Sequence, residues 1–232
     1  MLESRYNPAI RSFVLRQGRL THGQKKAFEQ SWAEFGVGFN DHPITLAHVF
    51  TQTQPTYLEI GFGNGDALAQ MAATYPHCNF LGIEVHRPGI GHLLVQLKTH
   101  NLNNVKIICH NAVDVLNQLP EHSLAGIHIF FPDPWSKKKH HKRRLIQCWF
   151  MQLAIGKLQS TGYIHIATDW RDYAEHIIRV IRQIPMLINH SRDQYQRPSY
   201  RPHTKFERRG ISRGHTIWDI VCSHASTLLP PS

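Results

Sequence analysis

The sequence predicts an α/β fold on a mostly parallel sheet, from three observations. Short apolar runs alternate with helix-like stretches from about residue 55 to residue 169. Each run ends in polar or turn residues, and the first passes directly into a glycine-rich turn. This alternation is the signature of strands joined by helical crossovers, which cover both faces of a sheet. The strands are expected at 56–60, 79–85, 105–109, 124–131 and 162–167, all rich in β-branched or aromatic residues. Helices are expected between them, at 66–75, 87–101, 112–118, 142–158 and 170–184. Beyond Pro185 two further strands, 186–191 and 215–223, flank a polar, Arg- and Pro-containing stretch and suit an antiparallel closure of the sheet. The organisation is an N-terminal basic extension (1–50), one α/β domain (51–226) and a frayed tail (227–232). Within the extension, the lead at 11–26 reads as a flexible arm or an added helix.

At 232 residues one domain suffices, and a formal net charge of +10 with a pI near 9.7 points to a polyanionic partner, nucleic acid first. The longest apolar runs are too short to span a bilayer, and the Met1–Arg5 start lacks a secretory signal, so the expected location is the cytoplasm. The four cysteines form no C-x-x-C pair and the 18 histidines show no ligand spacing, so no metal is expected.

The strongest local signal runs from Glu59 through Gly61, Gly63 and Gly65 to Asp66. Three alternate glycines let the backbone bend sharply and lie against a ligand. A dinucleotide site would require G-x-G-x-x-G, whose third glycine is Asp66 here. A carboxylate at that position opposes a pyrophosphate but suits S-adenosylmethionine, which has no phosphate and carries a sulfonium and an ammonium. The E-x-G-x-G-x-G pattern resembles the first motif of class I methyltransferases. Glu84, about 20 residues on at the end of the second strand, is placed to accept ribose hydroxyls, and Asn111 after the third strand to meet an adenine edge. Each alone reads equally as a helix cap, and the glycines as a tight turn.

The fourth strand ends in Phe131-Pro132-Asp133-Pro134-Trp135. Two prolines aim one carboxylate, and the indole offers a stacking surface. Directly after it, residues 137–144 carry six fixed positive charges in eight positions, suited to phosphates. With Glu59–Gly65, Ala167-Thr168-Asp169 and Thr204-Lys205-Phe206-Glu207-Arg208-Arg209-Gly210, these motifs resemble the bacterial tRNA (guanine-N7)-methyltransferases over nearly the whole chain, from about Arg11 to Cys222. The resemblance implies a Rossmann-like class I methyltransferase, with a mostly parallel seven-stranded sheet, an antiparallel C-terminal strand and helices on both faces. It also implies S-adenosylmethionine as cofactor and guanine 46 of tRNA as target, in a monomer or homodimer.

Carried over by position, Glu59, Gly61, Gly63, Gly65, Glu84, Asn111 and Asp133 are implied cofactor contacts, with Asp133 also catalytic. Asn111 stands where the family often has Asp. Lys137, Asp169, Thr204, Lys205, Phe206 and Glu207 are implied substrate contacts, and Lys139, His140, His141, Lys142, Arg143 and Arg144 an RNA-contacting run. For Phe206 the residue type leaves base stacking and core packing both open. Of the rivals, an NAD-dependent oxidoreductase is opposed by the glycine spacing. A non-catalytic RNA-binding scaffold is opposed by the intact carboxylates, and a protein or small-molecule methyltransferase leaves the basic run without purpose.

Overall fold

A computed structural model of the chain describes residues 10–13, 18–191 and 196–225. The tail expected at 227–232 lies outside them. The chain order is α1 (His22–Phe35), α2 (Leu46–Val49), β1 (Thr56–Ile60), α3 (Asp66–Thr74), β2 (Asn79–Ile83), α4 (Arg87–Thr99), β3 (Val105–Ile108), α5 (Ala112–Gln118) and β4 (Leu124–Phe130). A 3₁₀ helix (Lys138–Arg143) follows, then α6 (Cys148–Gly156), β5 (Leu158–Thr168), α7 (Arg171–Arg182), β6 (Leu187–Asn189), α8 (Lys205–Ser212) and β7 (Trp218–His224).

The seven strands form one sheet in the order β3-β2-β1-β4-β5-β7-β6. Strands β1 to β5 are parallel, and β7 lies antiparallel between β5 and β6. Alternation along each strand feeds two cores. Leu58, Leu81, Ile127, Ile164 and Ile220 pack with α5, α6 and α7, while Phe80, Val105, Ile107 and Phe130 pack with α1, α3 and α4. The sheet is therefore covered by helices on both faces, as a parallel sheet requires.

Several expected boundaries move for identifiable reasons. β2 stops at Ile83 because Glu84 turns its carboxylate back onto the N–H groups of Val85 and His86. The single helix expected over 142–158 is instead a 3₁₀ turn, an extended link and a shorter α6. The link exists because Ile146 is fully buried while its N–H donates to Tyr173 Oη and its carbonyl meets His176, contacts that a continuous helix would forfeit. β5 begins early, since Leu158 pairs with Leu124 ahead of a bulge. The polar stretch between the last two strands contains α8, announced by a Thr204-x-x-Glu207 capping box. The lead becomes a helix at its C-terminal end, where Thr21 and Gln24 make a second capping box and α1 packs on α4.

Helix α4 approaches the glycine turn so closely that a Cβ at Gly89 would lie 2.0 Å from the Gly63 carbonyl oxygen. Gly→Ala inside a helix ordinarily gains about 1 kcal/mol. Here the clash reverses the sign: Gly89→Ala should lower the unfolding free energy by roughly 1–3 kcal/mol in urea titrations and displace the turn.

Candidate active site

The cleft opens where β1 has β2 on one side and β4 on the other, the switch point at which the chain departs in opposite directions. Its cavity of about 270 Å³ is lined by Gly61, Gly63, Glu84, Asn111, Asp133 and Phe206, among others. Gly61, Gly63 and Gly65 have φ of 73°, 61° and 79°, left-handed backbone that side chains rarely adopt. A Cβ on Gly61 would meet nothing within 4 Å, so the room beside it belongs to the cavity.

The turn is pinned from across the sheet. Glu84 Oε2 accepts from Gly63 N at 2.8 Å, and Oε1 from Val85 N and His86 N at 2.6 and 2.9 Å. These three bonds leave the carboxylate acceptor capacity for one further donor. Asn111 caps α5 by accepting from Val113 N at 3.3 Å, and its amide donates to Asp114 at 3.1 Å. One amide N–H remains for a ligand. The cap and the cavity lining thus coexist in one side chain.

Glu59 is buried behind the turn, and its Oε2 has no hydrogen-bond partner among the described residues. Burial first, and the neighbouring Glu84 carboxylate second, push it up to about 8. A buried acid with an unsatisfied oxygen behind a glycine cradle suits a cationic ligand that has no phosphate.

On the opposite wall Phe131 and Trp135 have φ of 54° and 43° and bracket Pro132-Asp133-Pro134. Two left-handed non-glycine residues in five mark a loop held by its surroundings. Arg144 provides the hold: its Nε donates to the Pro134 carbonyl at 2.9 Å, its guanidinium lies 4.9 Å from the Tyr173 ring centroid, and it pairs with Asp172. Arg144 is buried and the structure does not present it with the rest of the basic run, whereas Lys137, Lys139 and Lys142 are exposed. Arg143 is half-buried, stacks 3.7 Å over Trp135, and donates to the carbonyls of Arg11 and Phe13. The Trp135 indole donates to Ser12. The run therefore divides between holding the loop, holding residues 10–13 against the cavity, and facing outward. His140 and His141 are half-buried within it.

Asp169, at the end of β5, accepts a 3.0 Å contact from His215 and sits outside this cavity. Thr204 and Glu207 are buried in the α8 capping box, while Lys205 and Phe206 are exposed. At 54 % exposure Phe206 is not a core residue; it lies against Phe131 with ring centroids 6.4 Å apart and closes the cavity opposite Gly63.

Sequence reasoning missed the group that positions α8. Arg201 is fully buried, donates twice to Asp219 on β7 at 2.5 and 2.9 Å, and reaches Glu207 at 2.8 and 3.2 Å. Burial alone would raise the Asp219 carboxyl; hydrogen bonds from His165 and Arg201 outweigh it and hold it below its ordinary value. An Arg in a basic chain gives no sequence sign of burial; the only legible clue was the capping box beside it.

The fold and this cleft define a Rossmann-like methyltransferase. Structures of the same fold include the 16S rRNA methyltransferase KamB, with a TM-score of 0.56 at 12% identity over 81% of this chain and 94% of that one. Another is a Streptococcus mutans protein described as a putative methyltransferase, in complex with SAH, with a TM-score of 0.50 at 11% identity over 80% of this chain and 99% of that one. Residues 53–220 match the family model described as "Putative methyltransferase". The chain is 50% identical over 214 residues to the tRNA (guanine-N(7)-)-methyltransferase of Methylobacillus flagellatus, covering 91% of this chain and 90% of that protein. It is 49% identical over 221 residues to the protein of the same name from Nitrosomonas eutropha, covering 95% and 99%. The chain belongs to the tRNA (guanine-N(7)-)-methyltransferase family.

Two outcomes follow. Glu59 keeps a proton in the folded protein that the unfolded chain loses near the ordinary 4.5, so its contribution to stability is present below 4.5 and is lost as pH rises to about 8. Urea denaturation across that window should show this decline in the wild type, and Glu59→Gln, which is neutral throughout, should flatten it. Arg201→Met takes the guanidinium away from two buried carboxylates, leaving Asp219 with His165 and Glu207 with its capping-box bond, Arg197 and His203, and should lower the unfolding free energy by roughly 3 kcal/mol.

Proposed function

We propose that the chain transfers the methyl group of S-adenosylmethionine to N7 of a guanine in tRNA, guanine 46 of the variable loop, in the cytoplasm. The observation that carries the reading is the face-to-face arrangement of the glycine turn and the Asp133 loop across one cavity, in a chain about half identical to named relatives. S-adenosylmethionine supplies an electrophilic methyl on a cationic sulfur.

The protein's part is to bind and aim. Glu59 offers a carboxylate to the cation, releasing its proton to solvent as it does so; Gly61 and Gly63 let the ligand lie against the backbone, and Gly65 supports them by letting the turn close onto Leu93 of α4. Glu84 has one acceptor site left for a ribose hydroxyl, and Asn111 one amide N–H for the adenine edge. Guanine N7 carries a free in-plane lone pair, so no base is needed to remove a proton before attack. Alignment is the term the site must supply.

Asp133, exposed at the cavity rim on a clamped loop, accepts from the guanine edge and stabilises the positive charge that develops on the purine. Lys137 and Asp169 hold the base turned out of the RNA stack. Lys205 and Phe206 face it from α8, presented by the buried Thr204 and Glu207. Lys139, His140, His141, Lys142 and Arg143 meet the RNA backbone, on a loop that Arg144 keeps in place.

The test is to incubate the protein with unmodified tRNA transcripts and methyl-labelled S-adenosylmethionine, digest the RNA and identify the labelled nucleoside. Labelled 7-methylguanosine that disappears when guanine 46 is replaced is the expected result; label on another atom or position would reject it. Asp133→Ala should retain cofactor binding while single-turnover methylation falls roughly a hundredfold, and unchanged turnover would remove Asp133 from this role.

A further inference from the structure

A second cleft, separate from the cofactor cavity, lies at the end of β5. Its volume is about 550 Å³, and its lining includes Asp169, Trp170, Arg171, His215 and Trp218. Trp170 is 37% exposed. Among the described residues the one ring it meets is His215, edge-on at 77° with centroids 6.4 Å apart.

The rim carries three carboxylates, yet each already has a cationic or hydrogen-bonding partner: Asp169 with His215, Asp172 with Arg144, and Glu175 with Arg171. Among the described residues no group of three metal-ligating side chains occurs. The cleft therefore has no unmet demand for a cation and offers an open indole instead. Two guanidiniums stand at its edge: Arg171, whose side chain is 81% exposed while its Nε meets Glu175, and Arg213, exposed in the chain next to the lining residue Gly214. An exposed indole with guanidinium groups beside it is the chemistry that holds a single-stranded nucleobase and its phosphate.

We infer that this cleft receives the base of the nucleotide adjacent to the methylated guanine, stacked on Trp170, with Arg171 and Arg213 toward its phosphates. The inference rests on the proposed function, in which Asp169 holds the guanine. Asp169 borders this cleft, and helix α8 packs on it, since a Cβ on Gly210 would lie 3.0 Å from Asp169 Cβ. Turning one base out of an RNA stack strips its neighbour of a stacking partner. A flat surface beside Asp169 replaces what is lost.

The experiment measures binding of full-length tRNA to wild type, Trp170→Ala, Trp170→Leu and Trp170→Phe, using intact tRNA and tRNAs abasic immediately 5′ or 3′ of the target guanine. Trp170→Ala and Trp170→Leu should weaken binding of intact tRNA roughly tenfold, and Trp170→Phe should stay within about threefold of wild type. One abasic tRNA should bind wild type roughly tenfold more weakly than intact tRNA, yet bind Trp170→Ala no worse than intact tRNA does. Cofactor affinity should be unchanged throughout, which also reports folding; Trp170→Leu carries the comparison if the Ala variant does not fold. Equal losses from the abasic sites in wild type and variant, or undiminished binding by Trp170→Leu, would overturn the assignment. The same samples are assayed for 7-methylguanosine. Its absence with wild type brings down the functional reading itself, whereas its presence with uncoupled losses brings down only the Trp170 cleft.

Discussion

One guanidinium holds the C-terminal third of the molecule together. Arg201 joins Asp219 of β7 to Glu207 of α8, and it also lies 5.7 and 5.8 Å from the ring centroids of Phe130 and Phe131 at the end of β4. Two carboxylates buried side by side would repel, and each would be costly to ionise out of water. The planar fork of an arginine can satisfy both at once, which a lysine's point charge cannot. His165 completes the arrangement: Asp219 accepts from Nε2 at 2.8 Å and Tyr200 meets Nδ1 at 3.0 Å. Through this network the strand that ends beside the Asp133 loop, the antiparallel strand and the helix carrying Phe206 become one unit.

The basic run after the Asp133 loop shows how one charge type serves opposed ends. Arg144 is buried because the loop needs a donor for the Pro134 carbonyl and a partner for Asp172. Arg143 stacks on Trp135 and donates to the carbonyls of Arg11 and Phe13 while staying half exposed. Only the lysines are left fully to solvent, where a strongly hydrated ammonium on a flexible stem costs least to keep. A loop with two left-handed residues and two prolines holds its shape because these partners over-determine it.

Much of this was legible beforehand, for local reasons. Strand β1, the glycine turn and α3 were readable because a short apolar run, glycines at alternate positions and a helical pattern are all local signals. Strands β6 and β7 were readable as apolar runs, but α8 between them was not, because its polar surface hid a helix whose only sign was a capping box. The unbroken helix expected over 142–158 failed because the burial of Ile146 and its hydrogen bonds to Tyr173 and His176 outweighed local helix propensity.

What the sequence by itself determined was the alternation of elements, the glycine turn with its acidic neighbours, and the family, since each is written in residue types at fixed spacings. Only the tertiary structure decided which charges face outward. Arg144 and Arg201 are inside while Lys139 and Lys205 are outside. It likewise brought Trp170 and His215, 45 positions apart in the chain, into one cleft. A charge or an aromatic ring carries no mark of its partner in the linear chain. Its burial and its chemistry are set by whatever the fold brings alongside it.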